Sequence, residues 1–477
     1  MSPRNLMTDP PWRATDVGRP IPDSVHAVSM ALPRWQDVVG YEEKTPAVMA
    51  RITSGYPRFV IHPLVQAMAK QIGGWPFPSA RTAEMAAEFV RRQGAPATVV
   101  AQNGVATDAA GALALKAFWQ HTGLIVSSRQ AEAFLAGRPT VPVPEVFRSL
   151  RQQIASFYDC SETDVFLTPT GMAAQFAALR AVLARAPGKP TAQLGFPYVD
   201  TLKLQQKFGH GATLLHNLTT IEAELHELIH RQPLAACFGE IPGNPLLGST
   251  DLSRITPLLR DHGVPLVADD VVATPVNVDL GGHAALIATS LTKYLAGTGD
   301  VMGGALICNP RSPFYRELHP LVQAQHEELL WGEEAAVLES QARGFPERMA
   351  KHNANGLFIA EQLRKHPAIE KVWYPKWEFA DAYEAVRRPN GGYGSLITFL
   401  PRKAETTSPQ IYDRMEFCKG PSLGTVFTLA CPFTLLAHYT ELDWAEACGV
   451  SRYLIRISVG LESPTELWRQ LDAALRG

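Results

Sequence analysis

The sequence predicts an α/β fold: a large domain on a mostly parallel sheet, a smaller C-terminal α+β domain and an N-terminal arm. Three observations carry this. From about residue 144 to 310, short apolar runs alternate with helical patterns. After about residue 332 the alternation gives way to one long helical stretch and scattered strands. Before residue 45 the chain is rich in Pro and polar residues and keeps neither period. The domains expected are an arm with an inserted segment over 1–144, an α/β domain over 145–333 and an α+β domain over 334–477.

Each element follows from its own residues. The arm, 1–45, reads either as an extension that wraps a neighbouring subunit or as a disordered tail. The runs 235–241, 265–271, 284–290 and 304–308 are apolar, short and bounded by Gly, Pro or charge, as buried strands are. Phe176, Leu179 and Leu183 recur at i, i+3, i+7 and give a helix its apolar face. In the last third, 347–366 reads as a helix, 370–374, 396–400 and 454–459 as strands, and 464–475 as a closing helix.

Composition narrows the function. At 477 residues, 46% hydrophobic and 19% charged, the chain suits a soluble globular protein of two or three domains. The 44 basic and 46 acidic residues leave a net charge of −2, which argues against nucleic acid or an anionic membrane as partner. No run of about 20 apolar residues marks a membrane span. Met1 to Arg13 has no apolar stretch, so no signal peptide is expected. The six cysteines are far apart and show no metal-ligand spacing, so no metal is expected and the thiols read as reduced, in a cytoplasmic protein.

Three segments carry chemistry. Ser290-Leu-Thr-Lys293 opens a Gly-rich stretch after a strand. A lysine is a nucleophile only when neutral, and its ordinary pKa is about 10.4. An apolar pocket would depress that value and let Lys293 form an imine. Ser290 and Thr292 set two hydroxyls beside it, suited to phosphate oxygens. The strand at 265–271 ends in Asp269 and Asp270, where α/β sheets bind ligands. A carboxylate there can keep a pyridine nitrogen protonated, so pyridoxal-5′-phosphate (PLP) is the cofactor expected. The spacing from Asp269 to Lys293 suits one helix and one strand between them. Thr168-Pro-Thr-Gly-Met172 turns into an amphipathic helix whose first amides, at Gly171 and Met172, can hold phosphate.

Together these motifs resemble the Cys/Met-metabolism PLP family of trans-sulfuration enzymes, from about Tyr56 to the C-terminus. The resemblance implies the aspartate-aminotransferase-like fold type I and a homodimer or homotetramer with shared active sites. It makes Lys293 the Schiff-base and proton-transfer residue, Asp269 the partner of the ring nitrogen, and Ser290, Thr292, Gly171 and Met172 the phosphate site. Gly195-Phe-Pro-Tyr-Val-Asp-Thr201 is similar to the family's Tyr-Gly-Gly-Thr, which makes Tyr198 a stacking ring and an acid or base. Glu240-Ile-Pro-Gly-Asn-Pro245 gives Asn244 contacts to cofactor and substrate, and Arg456 in Arg-Ile-Ser-Val-Gly-Leu-Glu462 clamps the substrate α-carboxylate. Tyr56 and Arg58 resemble a Tyr-x-Arg pair that reaches the neighbour's phosphate across a dimer.

Two departures stand out. An insertion occupies roughly residues 70–140. In Ser422-Leu-Gly-Thr-Val-Phe-Thr-Leu429, Phe427 stands where many members carry a substrate-reading Glu and Thr428 replaces a Ser, so both are expected at the substrate. The arm and insertion look most like the fungal-type cystathionine γ-synthase branch. The resemblance implies γ-replacement on an O-acylhomoserine by a thiol such as cysteine. A γ- or β-lyase, a sulfhydrylase or a γ-synthase using a carbon nucleophile also fits, and a non-catalytic binder of PLP or amino acids is the alternative of a different class.

Overall fold

The structure, a computed structural model, describes residues 4–477. Strands β1 (Pro20–Ile21) and β2 (Ser29–Met30) pair antiparallel in the arm. In the inserted segment, β3 (Trp75–Pro76), β4 (Ala97–Val100) and β5 (Gly104–Thr107) form an antiparallel sheet in the order β3-β5-β4. The large sheet has seven strands: β6 (Val165–Thr168), β7 (Thr191–Leu194), β8 (Ala212–Leu215), β9 (Ala236–Glu240), β10 (Leu266–Asp269), β11 (Leu286–Ser290) and β12 (Gly304–Cys308), ordered β6-β12-β11-β10-β9-β7-β8. From β11 to β8 neighbouring strands pair parallel, and β12 runs antiparallel to both its neighbours. Except for β8 and the last residues of β10 and β11, these strands are buried, and most of their side chains are apolar because both sheet faces are covered.

One predicted element is absent. Between β10 and β11 lie turns and no helix. Pro275, Gly281 and Gly282 interrupt that stretch, and Pro and Gly are the poorest residues for a helix interior.

The second sheet holds β13 (Ile369–Trp373), β14 (Leu396–Pro401), β15 (Cys418–Lys419), β16 (Leu429–Pro432) and β17 (Ile455–Ser458), in the order β13-β14-β17-β16-β15. The helices Phe345–Lys365 and Pro464–Arg476 pack on it, burying Ile359, Leu363, Leu467 and Leu471 in its core.

The inserted segment is built into the large domain. Its helices Ala80–Arg92 and Ala112–Thr122 bury Ala83, Ala87, Val90 and Trp119 in one cluster with Phe176, Phe238 and Leu306 beneath the sheet. Phe89 stacks on Phe208 at 4.7 Å between ring centroids. Such offset aromatic pairs add about 0.5–1.5 kcal/mol to the burial itself.

From Arg4 on, the arm lies against its own chain. Met30, Leu32, Val38 and Tyr41 are buried among Ile397, Phe399 and Ile457 of the second domain. The Leu32 amide donates to the Lys419 carbonyl at 2.7 Å, and Tyr412 Oη donates to the Leu32 carbonyl at 2.8 Å. The arm also corrects the reading of Phe427. That ring is buried with Leu6, Ile21, Ala31, Cys418 and Leu429, facing the arm. An aromatic ring supplied with apolar partners has no reason to turn towards a polar substrate. Phe427→Ala is therefore expected to cost about 3–5 kcal/mol of stability in denaturant unfolding, the range for emptying a buried aromatic site, and to leave substrate preference unchanged.

Candidate active site

The parallel strands β6, β7, β9, β10 and β11 end on one edge of the large sheet, and the expected site residues follow those ends. Thr168 closes β6 and leads into the helix Gly171–Arg185. Tyr198 follows β7, Asn244 follows β9, Asp269 is the last residue of β10, and Lys293 lies just beyond Ser290 at the end of β11. Ligands of open α/β sheets collect at such carboxyl ends. Strand β17 brings Arg456 from the second sheet. One cavity of about 520 Å³ is lined by every expected site residue except Phe427 and Thr428.

Thr428 stands away from the cavity for a polar reason. Its hydroxyl donates to Glu462 at 3.0 Å and accepts from the Gly460 amide at 3.0 Å, and its own amide donates to Glu462 at 2.6 Å. With these bonds made inside the domain, its expected contact with substrate is not seen.

Lys293 is buried, at 8% exposure. Its Nζ donates to Ser422 Oγ at 2.8 Å and lies 4.4 Å from the centre of the Tyr56 ring. Burial pushes the amine below its ordinary pKa. Tyr56 opposes that shift, and the positive charges of Arg456 and Arg58 add to it. The chain therefore makes a neutral amine easier to reach. Ser422 was not singled out from the sequence. Its φ of 94° is rare for a residue with a side chain, and the strained loop turns the Ser422 carbonyl to Arg456 Nη2 at 2.8 Å while its hydroxyl meets Lys293.

Arg456 also donates through Nη1 to Asn244 Oδ1 at 3.0 Å, and its guanidinium lies 4.8 Å from the centre of the Phe433 ring. A buried guanidinium with no carboxylate partner among the described residues, facing a cavity, suits an anionic ligand group.

Asp269 accepts from the Val271 amide at 2.9 Å and from Gln175 Nε2 at 3.0 Å. No cation among the described residues pairs with it. Burial outweighs the two hydrogen bonds and raises its carboxyl to about 6. Gln175 lies one helical turn beyond Gly171, on the same face, and that i, i+4 spacing could have pointed to it. Asp270 faces away from the cavity and accepts from Tyr158 Oη at 2.9 Å.

The phosphate-like cradle is complete. Thr170 caps the helix by accepting from the Ala173 amide, while the amides of Gly171 and Met172 meet no acceptor among the described residues. A side chain on Gly171 would stand 2.7 Å from Ser290 Cβ, so only glycine lets the helix start rest on the end of β11. Ser290 lines the cavity, whereas Thr292 Oγ1 is shared with the Gly303 backbone, at 3.2 Å to both its amide and its carbonyl.

Tyr56 and Arg58 stand in the pocket of their own chain, where the resemblance implied a neighbour's. The reason lies in the partners they find there. Arg58 is 3% exposed and donates to Tyr198 Oη at 2.5 Å, to the Gln120 carbonyl at 2.8 Å and to the Asp200 carboxylate. Burial alone would raise the Tyr56 phenol, but the charges of Lys293 and Arg58 outweigh it and hold the phenol below its ordinary pKa.

PLP fits this donor set. Two free helix amides and Ser290 suit its phosphate, Asp269 lacks the cation a pyridinium would supply, and Lys293 is the buried amine.

The chain matches the family described as Cys/Met metabolism PLP-dependent enzyme over residues 104–476. It is 32% identical to the cystathionine γ-synthase of Neurospora crassa, over 97% of this chain and 98% of that protein. It is also 32% identical to an L-2-amino-4-chloropent-4-enoate dechlorinase/desaturase of Streptantibioticus cattleyicolor, over 94% of this chain and 95% of that one. The crystal structure of cystathionine γ-synthase from Xanthomonas oryzae pv. oryzae in complex with cystathionine superposes with a TM-score of 0.61 at 25% identity, over 70% of this chain and 86% of that one. Fold, donor set and relatives thus converge on one conclusion: the chain belongs to the Cys/Met-metabolism family of PLP-dependent enzymes.

Proposed function

We propose that the chain catalyses γ-replacement on an O-acylhomoserine with a thiol nucleophile, as a cystathionine γ-synthase does. The observation that carries this reading is that one cavity is lined by Lys293, Asp269 and Arg456, the last a guanidinium with no carboxylate partner among the described residues. The name of the Neurospora relative and the cystathionine in the Xanthomonas structure support the substrate class.

Bound PLP would supply an electron sink for charge developing at the substrate Cα. Arg456 clamps the α-carboxylate, and Asn244 orients that clamp. Lys293 Nζ takes the Cα proton and then moves a Cβ proton, helped by its depressed pKa. Ser422 Oγ holds Nζ on the cavity side between these transfers. Asp269, kept in place by Gln175, would hold the proton on the ring nitrogen of PLP, and Tyr198 would stack on its ring. Elimination without an added nucleophile is the second reading, favoured by the equal identity to the dechlorinase/desaturase.

Purified protein given O-acetyl- or O-succinylhomoserine and cysteine is expected to yield cystathionine. Release of ammonia and a 2-oxo acid with cysteine omitted, and no γ-product with any thiol, would move the assignment to the lyase. Asp269→Asn is expected to weaken PLP binding about 10- to 100-fold in spectroscopic titration of the apoprotein, the loss of one charge-assisted hydrogen bond. Because Tyr56 and Arg58 sit in their own chain's pocket, co-expressed Lys293→Ala and Arg58→Ala chains are expected to recover no activity. Recovery of a share of the parent activity would mean that the pair is donated between subunits.

A further inference from the structure

Beside the cofactor site lies a buried polar cluster centred on Asp200, a residue that the reaction above does not use. Asp200 is fully buried and bears three donors: Arg58 on Oδ2, and His121 Nδ1 at 2.9 Å and Gln120 Nε2 at 3.1 Å on Oδ1. Gln120 and His121 belong to the last turn of the inserted helix Ala112–Thr122, and the Gln120 carbonyl there also accepts from Arg58. A carboxylate taken wholly out of water is tolerated only when its lone pairs are met, as they are here. Burial would raise the Asp200 carboxyl, but Arg58 and His121 outweigh it and hold it at about 2. The guanidinium so held directs its remaining contact at Tyr198 Oη, at 2.5 Å.

We propose that Asp200, backed by Gln120 and His121 of the inserted segment, is a positioning residue that holds the Arg58 guanidinium against the Tyr198 phenol and offsets its charge there. The inserted segment is then a working wall of the active site. The neighbours of the phenol set its charge balance. Arg58 favours its ionised form, while Asp200 and Tyr56 disfavour it, with Lys293 beyond Tyr56 and Glu240 at the Tyr198 amide. Burial dominates and keeps the phenol a proton donor. With Asp200 neutralised, Arg58 would act on Tyr198 and Tyr56 without a counter-charge, and both phenols would ionise more readily.

The inference rests on the reading above only in placing Tyr198 and Arg58 beside the cofactor. Its first test uses apoprotein without substrate, so it stands or falls apart from the turnover assay. Ultraviolet titration of Asp200→Asn should show the earliest phenolate step about 1–3 pH units below that of the parent, the usual effect of one close charge. Asp200→Ser, which leaves room for a water beside Arg58, reads the same charge if the Asn variant does not fold. An unmoved step with only a lowered melting temperature would reduce Asp200 to a structural residue and overturn the proposal. The second test addresses the insertion in the holoenzyme. His121→Leu should lower kcat, His121→Gln, which can still donate, should restore it, and the His121→Leu loss should vanish in an Asp200 variant background. Losses that multiply independently would overturn the part given to the inserted segment.

Discussion

Burying charge is the constraint on which the rest of this structure depends. Lys293, Arg58, Arg456 and Asp200 are each at most 8% exposed and all lie within or beside one cavity. An isolated charge in such surroundings costs several kcal/mol, so each must find partners within hydrogen-bond reach. Those partners come from segments far apart in the chain: Ser422 for Lys293, Asn244 for Arg456, and Asp200, Tyr198 and Gln120 for Arg58. Asp269 is the exception. Among the described residues it meets an amide and an amide side chain but no cation. A half-buried carboxylate left in that state, opposite a helix start with two open amides, is the complement of a ligand that carries a cationic nitrogen at one end and a phosphate at the other.

The same constraint explains the arm and the insertion. Both look dispensable in sequence, one because it lacks periodicity and the other because it interrupts a family pattern. In the fold both reach the pocket, which Tyr41, Glu42 and Lys44 of the arm and Lys116 and Gln120 of the insertion help to line. The arm is secured by Leu32 and Met30 in the core of the second domain, and the insertion by Trp119 and Val90 beneath the large sheet. So anchored, the insertion presents Gln120 to Arg58, whose side chain donates to the Gln120 carbonyl.

Most of the large sheet was legible in the sequence, because buried parallel strands are continuous apolar runs bounded by Gly, Pro or charge. The runs around Ala236–Glu240, Leu266–Asp269 and Leu286–Ser290 all fall within a few residues of the expected spans. The helix expected between Asp269 and Lys293 failed because spacing alone cannot tell a helix from a chain of turns. Residues tied to strand ends were legible for the same reason as the strands: a Ser-x-Thr-Lys or Asp at a strand terminus is brought to the ligand edge by the sheet itself.

What the sequence by itself determined is therefore the α/β architecture and the residues its strand ends must present: Asp269, Ser290, Lys293 and the Gly171 helix start. These depend on local pattern and on the geometry common to parallel sheets. What only the tertiary structure decided is which way the remaining side chains face and which distant groups they meet. Phe427 turned to the arm because apolar partners lay there, and Thr428 turned to Glu462 because a carboxylate lay there. Tyr56 and Arg58 settled in their own chain's pocket, and Asp200 joined His121, because a buried charge is satisfied by whichever partner packing brings within about 3 Å. Motif spacing carries no record of that choice.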